Sequence, residues 1–347
     1  MGKKFSYLLV GLAFALGAST PALGEEFYKG KILQFIVGFS PGGGYDTYTR
    51  YIARHIGKYI PGNPTPIVQN RTGAGSLIAA HYMYRKAKPD GLTVGVWTPG
   101  LILAHALGDK KVRFKPRKLG WIGTPTPDSV VCAIMGFTGL KTLDDIVKSK
   151  RTLKMPATRA PGNTTDPPLF LNRGLGTKFK VITGYRGTAT MRLAMQTKEV
   201  DGACWTWESM RITARSMLDA KGDNKLIPFV IHRRWNDPEV RNIPLFRDVI
   251  KDKDTLAMYN AWNAQNDMTR PYSVPPGTPK ERLNILRKAF EATLKDPKLL
   301  AEAKKSKLNV SPVTWQRIEK ALDKMYSISP QIKEDLQFLT GLKKKKF

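Results

Sequence analysis

Residues 32–46 read ILQFIVGFSPGGGYD, a nearly continuous apolar run that is followed by three consecutive glycines. Such a run is typical of a strand that is buried on both faces of a parallel sheet. Residues 46–59 then place apolar and aromatic side chains on one stripe at helical spacing, and Pro61 with Gly62 ends that pattern. The glycine turn therefore joins a strand to a helix N-terminus, where free backbone N–H groups and the positive helix end favour an anion.

A second glycine-rich turn, NRTGAGS at residues 70–76, repeats this arrangement. It follows a short strand predicted at residues 66–69 and precedes a helix predicted at residues 77–86. Because both turns follow apolar strands, we expect them at the carboxyl edge of one sheet, beside the end of a third strand at 92–98. The predicted carboxylate-binding residues here are Gly42, Gly43, Gly44, Tyr45, Asp46, Gly73, Ala74, Gly75, Ser76 and Thr98.

Simpler roles remain open for parts of the first turn. Asp46 is expected to cap its helix, and the glycines alone would also suit a plain tight turn. A dinucleotide site is not expected, because Thr47 stands where the third glycine of the G-x-G-x-x-G pattern should be.

Strands continue to alternate with helices along the chain, which indicates an α/β fold. A second series begins near Pro125, with strands predicted at 130–135, 153–155, 178–182, 200–204 and 227–232. A capping box is predicted at the start of a C-terminal helix, with Thr278 as the N-cap, Pro279 at the first helical position and Glu281 as the box glutamate. We expect two lobes, each a doubly wound, mostly parallel sheet flanked by helices. Their predicted bounds are 25–124 with 231–347 for the first lobe, and 125–230 for the second.

The first 24 residues have the features of a secretory signal peptide. Lys3 and Lys4 precede a short apolar stretch, and Ala22 to Gly24 form a small-residue cleavage site. An uncleaved anchor is the alternative, although the stretch is short for a membrane span. No cysteine lies near the cleavage site, so we expect a periplasmic protein without an N-terminal lipid anchor.

The chain carries a formal net charge of +29, which ordinarily raises the question of nucleic-acid binding. The basic residues are spread along the chain and do not alternate with aromatic residues, so solvated surfaces are the favoured interpretation and no nucleic-acid partner is expected. The basic tail, Lys343 to Lys346, is a candidate contact with anionic lipid.

The two cysteines, Cys132 and Cys204, lie in apolar strand-like runs. Two buried free thiols are expected, and a bridge between them in an oxidising compartment is the alternative. The four histidines show no metal-ligand spacing, so neither a metal nor a cofactor is expected.

Six segments, in order, resemble the receptors of tripartite tricarboxylate transporters, the Bug-type periplasmic solute-binding proteins. The segments are PGGGYD at 41–46, NRTGAGS at 70–76, KPDGLT at 88–93, YRGTA at 185–189, VDG at 200–202 and PGTPK at 276–280. The resemblance covers most of the chain that follows the signal peptide. It implies a type II-like binding protein whose two lobes are joined by crossing strands and close on a ligand like a hinge.

The resemblance also implies that the first-lobe turns hold a ligand carboxylate through backbone N–H groups. The second lobe would supply the facing wall from APGNTTD at 160–166, from the YRGTA segment and from CWTWE at 204–208. The candidates there are Asn163, Thr164, Thr165, Arg186, Trp205 and Trp207. Core packing of the two tryptophans and a surface position for Arg186 remain open alternatives.

The leading hypothesis is a monomeric, non-enzymatic periplasmic receptor for a small organic di- or tricarboxylate, with membrane permease subunits of a tripartite transporter as partners. A signalling partner, with the chain as sensor subunit, is an alternative destination for the ligand. A secreted hydrolase is disfavoured because no G-x-S-x-G or H-E-x-x-H motif occurs. A basic protein that binds polyanions or envelope surfaces is the third hypothesis, and it rests on charge alone.

Overall fold

The computed structural model describes residues 27–235 and 237–344, so the predicted signal peptide lies outside the described residues. The strands are β1 (Ile32–Val37), β2 (Thr65–Asn70), β3 (Thr93–Val96), β4 (Gly120–Thr124), β5 (Val130–Met135), β6 (Leu153–Ala157), β7 (Phe179–Thr183), β8 (Gly202–Thr206), β9 (Leu226–Ile231), β10 (Tyr272–Val274) and β11 (Val313–Thr314). The first helices are α1 (Gly44–Ile56), α2 (Leu77–Arg85), α3 (Gly100–Ala106), α4 (Leu143–Lys148), α5 (Asp166–Leu175), α6 (Thr188–Gln196), α7 (Trp207–Thr213) and α8 (Arg215–Asp219). The remaining helices are α9 (Phe246–Val249), α10 (Lys253–Asn263), α11 (Lys280–Thr293), α12 (Pro297–Lys305), α13 (Trp315–Tyr326) and α14 (Pro330–Leu339). The α/β class predicted from the alternating pattern is confirmed.

A six-stranded sheet in the order β11-β4-β10-β3-β1-β2 forms the framework of the first lobe. β1 lies between β2 and β3 and is parallel to both, as the two strand–glycine–helix passages predict. β10 inserts antiparallel between β3 and β4, so a strand from late in the chain completes the sheet. The carboxyl ends of β1, β2 and β3 therefore meet at one edge, and the two glycine turns lie there.

The second lobe contains two smaller sheets. β6 and β7 pair in parallel, whereas β5 pairs antiparallel with both β8 and β9. The antiparallel pairing differs from the mostly parallel sheet expected for this lobe. It arises because β5 carries the chain into the second lobe and β9 carries it back, so the two strands run in opposite directions.

Buried contacts tie the crossing segments together. The Thr269 hydroxyl donates to the Thr126 carbonyl at 3.1 Å. Arg270 and Asp128, both fully buried, form an ion pair of 2.8 Å. Helices α10 and α14 also pack against α5, so C-terminal elements contact the second lobe. The residue bounds given above for the two lobes stay a prediction.

Two helix starts differ in their capping. At α4 the capping box forms, because the Thr142 side chain accepts from the Asp145 N–H and the Asp145 side chain accepts from the Thr142 N–H. At α11 the capping box predicted from Thr278 is wrong. The helix begins at Lys280, and the Thr278 hydroxyl donates to the Pro275 carbonyl at 2.8 Å instead.

The expectation of two free thiols is also wrong, because Cys132 and Cys204 form a disulfide. The two residues are directly opposite each other on β5 and β8, with their Cα atoms 4.0 Å apart. The register of an antiparallel pair brings them together, and this register is not visible in the sequence spacing. Within residues 27–235 and 237–344, no helix is long and apolar enough to cross a membrane.

Candidate functional site

A cavity lies where the two lobes meet at the edge formed by the glycine turns. Its volume is about 50 Å³, counted as the space open to the centre of a water molecule. Both lobes line it, through Phe39, Gly43, Gly44, Tyr45, Gly75, Thr98, Thr158, Arg159, Pro161, Gly162, Asn163, Thr164, Thr188, Trp205, Thr206 and Ser209. The predicted site residues that lie in this lining are Gly43, Gly44, Tyr45, Gly75, Thr98, Asn163, Thr164 and Trp205.

The first glycine turn presents backbone to the cavity at the start of α1. Gly43 is the N-cap residue and has no side chain to satisfy the first N–H groups of the helix. Gly44 lies against the second lobe so closely that a Cβ atom there would be 2.3 Å from the Ser209 hydroxyl oxygen. Burial raises the pKa of Tyr45 to about 12, so its hydroxyl stays protonated at neutral pH. This wall therefore offers hydrogen-bond donors.

Asp46 faces away from the cavity and holds the turn in shape. Its carboxylate accepts from the Gly42 N–H at 2.9 Å and from the Asn70 side chain at 2.9 Å. Burial would raise the pKa of Asp46, but hydrogen bonds from Arg50, Gly42 and Asn70 hold the pKa below its ordinary value. Gly42 and Asp46, both predicted to bind ligand, are not among the lining residues, and their hydrogen bond stabilises the turn around Gly43.

The second glycine turn has four consecutive residues with positive φ. They are Gly73, Ala74, Gly75 and Ser76, with φ of 127°, 47°, 58° and 68°. Only Gly75 is in the cavity lining. The Ser76 hydroxyl accepts from the Thr98 N–H at 3.0 Å, which ties the start of α2 to the residue after β3. Gly73, Ala74 and Ser76, which are also predicted to bind ligand, are not among the described lining residues, and they shape the turn.

The facing wall is the β6–α5 loop, residues 158–165. Thr164 accepts from the Thr158 N–H at 3.0 Å, and the Thr165 hydroxyl donates to the Arg159 carbonyl at 2.6 Å. Asp166 at the start of α5 accepts from the Gly162 N–H at 2.8 Å, and burial raises its pKa to about 7. Thr165 thus braces the loop without lining the cavity.

The two candidate tryptophans have different positions. Trp205 at the end of β8 lines the cavity. Trp207 is completely buried, and its Nε1 donates to Asp237 at 3.0 Å. Arg186 is exposed outside the cavity, and its carbonyl accepts from the Ser40 N–H at 3.3 Å. The core alternative therefore applies to Trp207, and the surface alternative applies to Arg186.

The polar atoms of the lining favour an anion. Trp205 Nε1, Ser209 Oγ and Arg159 Nη1 can donate, are buried and have no hydrogen-bond partner within the described ranges; Asn163 Oδ1, an acceptor, is unpaired there as well. Hydroxyl groups of five threonines surround them. Arg159 is the single charged side chain in the described lining, which contains no aspartate, glutamate, histidine or cysteine. Arg159 Nη2 pairs with Asp109 outside the lining, but the unpaired donors have no carboxylate within the lining, and such donors suit a ligand that brings its own negative charge.

A buried arginine stands behind this lining. Arg270 donates to the Thr206 hydroxyl at 3.0 Å and lies 4.6 Å from the centroid of the Tyr48 ring. Burial would lower the pKa of Arg270, but the adjacent Asp128 carboxylate raises it above its ordinary value. Sequence spacing does not indicate that Arg270 pairs with Asp128, because the two residues belong to separate crossing segments.

Several lining residues are not among those named individually from the sequence. They are Phe39, Thr158, Arg159, Pro161, Gly162, Thr188, Thr206 and Ser209. Most are direct neighbours of predicted residues: Thr188 belongs to the YRGTA segment, and Arg159 precedes the loop 160–166. Ser209 lies in the first turn of α7, directly after the CWTWE segment. Among the described residues, no group of three or more His, Cys, Asp or Glu could hold a metal ion.

Comparison with solved structures identifies the fold. The structure of the periplasmic binding protein BugD matches with a TM-score of 0.69 and 19% identity, covering 90% of this chain and 98% of that one. The chain has the fold of the Bug-type periplasmic binding proteins. The resemblance drawn from the sequence motifs is thus confirmed at the level of the fold, and so is the two-lobed architecture.

Two further solved structures of similar fold contain a bound acid. MatC from Rhodopseudomonas palustris with bound malate has a TM-score of 0.66 and 19% identity, covering 89% of this chain and 99% of that chain. Rpa4515 from R. palustris with adipate has a TM-score of 0.67 and 15% identity, covering 90% of this chain and 97% of that chain. Identities this low establish the fold alone.

Sequence comparison reaches only part of the chain. A curated protein of Pseudomonas sp. strain P51, described as a UPF0065 protein in the tcbD-tcbE intergenic region, is 31% identical over 97 residues. The match spans 28% of this chain and 28% of that protein. No protein-family model matches the chain.

Proposed function

We propose that this protein is a periplasmic solute-binding receptor that captures a small organic carboxylate between its two lobes. The observation that carries the proposal is the cavity lining. It combines a helix N-terminus, hydroxyl groups, an indole N–H and one guanidinium group, and the described lining residues include no aspartate or glutamate. A buried set of donors like this one favours a negatively charged ligand over a neutral or cationic one.

The position of the cavity supports a receptor. The lobes pack closely at two glycines of the lining, Gly44 against Ser209 and Gly75 against Arg159. A ligand that contacts both walls stabilises the arrangement in which the lobes are together, so binding and closure are coupled. The small cavity volume suits a ligand of a few carbon atoms.

Similar proteins supply further support for the ligand class and for the destination. Proteins of the same fold have been described with malate and with adipate. We therefore propose a dicarboxylate or a related small acid as ligand, and membrane permease subunits of a tripartite tricarboxylate transporter as partners. Delivery to a signalling partner remains the alternative destination. We propose a periplasmic location, a monomer, and binding without chemical turnover.

Calorimetry with succinate, malate, adipate, citrate and the neutral succinamide tests the proposal. We expect one-to-one saturation by at least one carboxylate, recovery of that carboxylate unchanged, and no measurable binding of succinamide. Equal binding of the acid and the amide would contradict an anion site.

The polyanion hypothesis predicts a different salt response. Binding through surface lysines weakens steeply as salt rises, because counterions compete for the same charges. Binding in a cavity depends on short, buried contacts that salt screens little. Titrations at two salt concentrations, with succinate and with a sulfated polysaccharide, therefore separate the two functions.

A further inference from the structure

Arg159 belongs both to the cavity and to the contact between the lobes. It lies in the β6–α5 loop of the second lobe and lines the cavity. Its Nη2 forms an ion pair with Oδ2 of Asp109, which follows α3 in the first lobe. The two side chains are 14% and 5% exposed, so solvent screens this pair far less than a surface pair.

The stem of Arg159 covers the second glycine turn. A Cβ atom placed on Gly75 would lie 2.4 Å from the Cβ of Arg159 and 3.3 Å from its Cδ. Since Gly75 also lines the cavity, the side chain of Arg159 runs directly beside this part of the lining. A carboxylate on that turn would be within reach of the guanidinium group.

One nitrogen of the Arg159 guanidinium group, Nη1, is a buried, unpaired donor in the described part of the chain. The Asp109 side chain is itself oriented, because its Oδ1 accepts from the Lys111 N–H at 2.9 Å. Asp109 thus holds one branch of the guanidinium fork and leaves the other free for a second acceptor.

We propose that Arg159 bridges the bound carboxylate and Asp109, so that one side chain both recognises the ligand and fastens the second lobe to the first. The inference rests on the proposed function. Nη1 donates to the ligand carboxylate at the Gly75 turn, while Nη2 remains on Asp109. Ligand binding then strengthens closure because both acceptors of the fork belong to the first-lobe side of the cleft.

The test measures succinate affinity, by calorimetry, in the full-length mature protein and five variants. Arg159→Gln removes the charge and both contacts, and we expect roughly 30-fold weaker binding. Asp109→Asn leaves Arg159 in the cavity without its anchor, and we expect about fivefold weaker binding. In the double variant the loss should stay within about twofold of that in Arg159→Gln alone, because the two residues act as one unit.

Arg159→Lys separates recognition from anchoring. A lysine keeps the positive charge but has no fork to serve two acceptors, so its affinity should lie between those of the wild type and Arg159→Gln. Asp219→Asn is the matched control, since Asp219 also pairs with an arginine, Arg215, outside the cavity lining. That control should bind succinate as the wild type does, and thermal unfolding should show that all variants are folded.

The possible outcomes distinguish this inference from the proposed function. Unchanged affinity in Asp109→Asn, or losses that simply add in the double variant, would overturn the bridge while leaving the receptor function intact. Failure of the wild type to bind succinate or any other acid of the panel would overturn both.

Discussion

The two walls of the cavity contain the same local contact in opposite electrostatic settings. In the first lobe the Gly42 N–H donates to Asp46 at 2.9 Å, and in the second the Gly162 N–H donates to Asp166 at 2.8 Å. Each aspartate lies in the first turn of a helix and holds a loop that lines the cavity. Their pKa values nevertheless move in opposite directions, downward for Asp46 and upward to about 7 for Asp166.

The difference follows from what else each carboxylate contacts. Asp46 also accepts from Arg50 and Asn70, so its charge is compensated. Asp166 is completely buried, and its other strong partner is the neutral Trp262 N–H at 2.7 Å. The first wall is thus a rigid backbone cradle with a stable charge behind it. The second wall consists of side chains on the β6–α5 loop. Asp166, which holds this loop through the Gly162 N–H, changes its charge near pH 7.

The largest expected effect tests the backbone cradle. Gly75→Val should weaken succinate binding by at least about 100-fold, because a side chain there collides with Arg159 and blocks the turn. Calorimetry on the variant measures this loss. Gly176→Val is the matched control, since Gly176 also has a positive φ, 69° against 58°, but has open space around it. Full affinity in Gly75→Val, or an equal loss in both variants, would contradict the cradle.

The next effect concerns the pH response of the second wall. Between about pH 4 and pH 7 the folded protein keeps a proton on Asp166 that the unfolded chain has released. The contribution of Asp166 to the free energy of unfolding therefore decreases as the pH rises through this window, by on the order of a few kcal/mol. Asp46 behaves in the opposite sense, and its contribution is lost as the pH falls through its lowered pKa.

Urea unfolding of the wild type and Asp166→Asn at pH 5 and pH 7.5 measures this response. The wild type should lose more stability than the variant between the two pH values, because asparagine does not titrate. Asp46→Asn, examined in the same window, should not reduce that loss. An identical pH dependence in the wild type and Asp166→Asn would show that Asp166 is ionised throughout.

The tryptophans provide a smaller test within the second wall. Trp205→Phe removes an N–H that has no partner in the described structure, and should weaken succinate binding about five- to tenfold with little loss of stability. Trp207→Phe instead removes one of two side-chain donors to Asp237, which keeps its ion pair with Arg211, and should lower the free energy of unfolding by roughly 1 kcal/mol with a small effect on binding. Calorimetry and thermal unfolding of both variants check the pair. A binding loss in Trp207→Phe and a stability loss in Trp205→Phe would mean that Trp207, and not Trp205, contacts the ligand.

The smallest expected effect is that of the basic tail. Replacing Lys343 to Lys346 by glutamine should change succinate affinity by less than about threefold, because binding in the cavity depends on short, buried contacts rather than on surface charge. Titration of the tail variant at low and moderate salt measures the change. A tenfold loss would favour the polyanion hypothesis.

The first wall could be predicted from sequence because its chemistry is local. A strand, a glycine turn and a helix start follow one another within residues 32–46, and this order places N–H groups at a sheet edge. Individual roles within the turn were harder to assign. Whether Asp46 faces the ligand or the turn depends on Asn70 and Arg50, which the folded chain brings to it.

The second wall was predicted less well because its contacts are tertiary. The role proposed for Arg159 depends on its contacts with Asp109 and Gly75 in the other lobe. The ion pair between Arg270 and Asp128 forms only where two crossing segments meet. The disulfide between Cys132 and Cys204 likewise depends on strand register. Residue type and spacing carry none of this information.

The central claim is that one small carboxylate contacts both walls at once, and a crystal structure of the protein with the tightest-binding acid of the panel tests it most directly. We expect the carboxylate between the N-terminus of α1 and the β6–α5 loop, within hydrogen-bond distance of the turn at Gly75 and of Arg159. A ligand bound to one lobe alone, or outside the cavity at saturating concentration, would contradict the account.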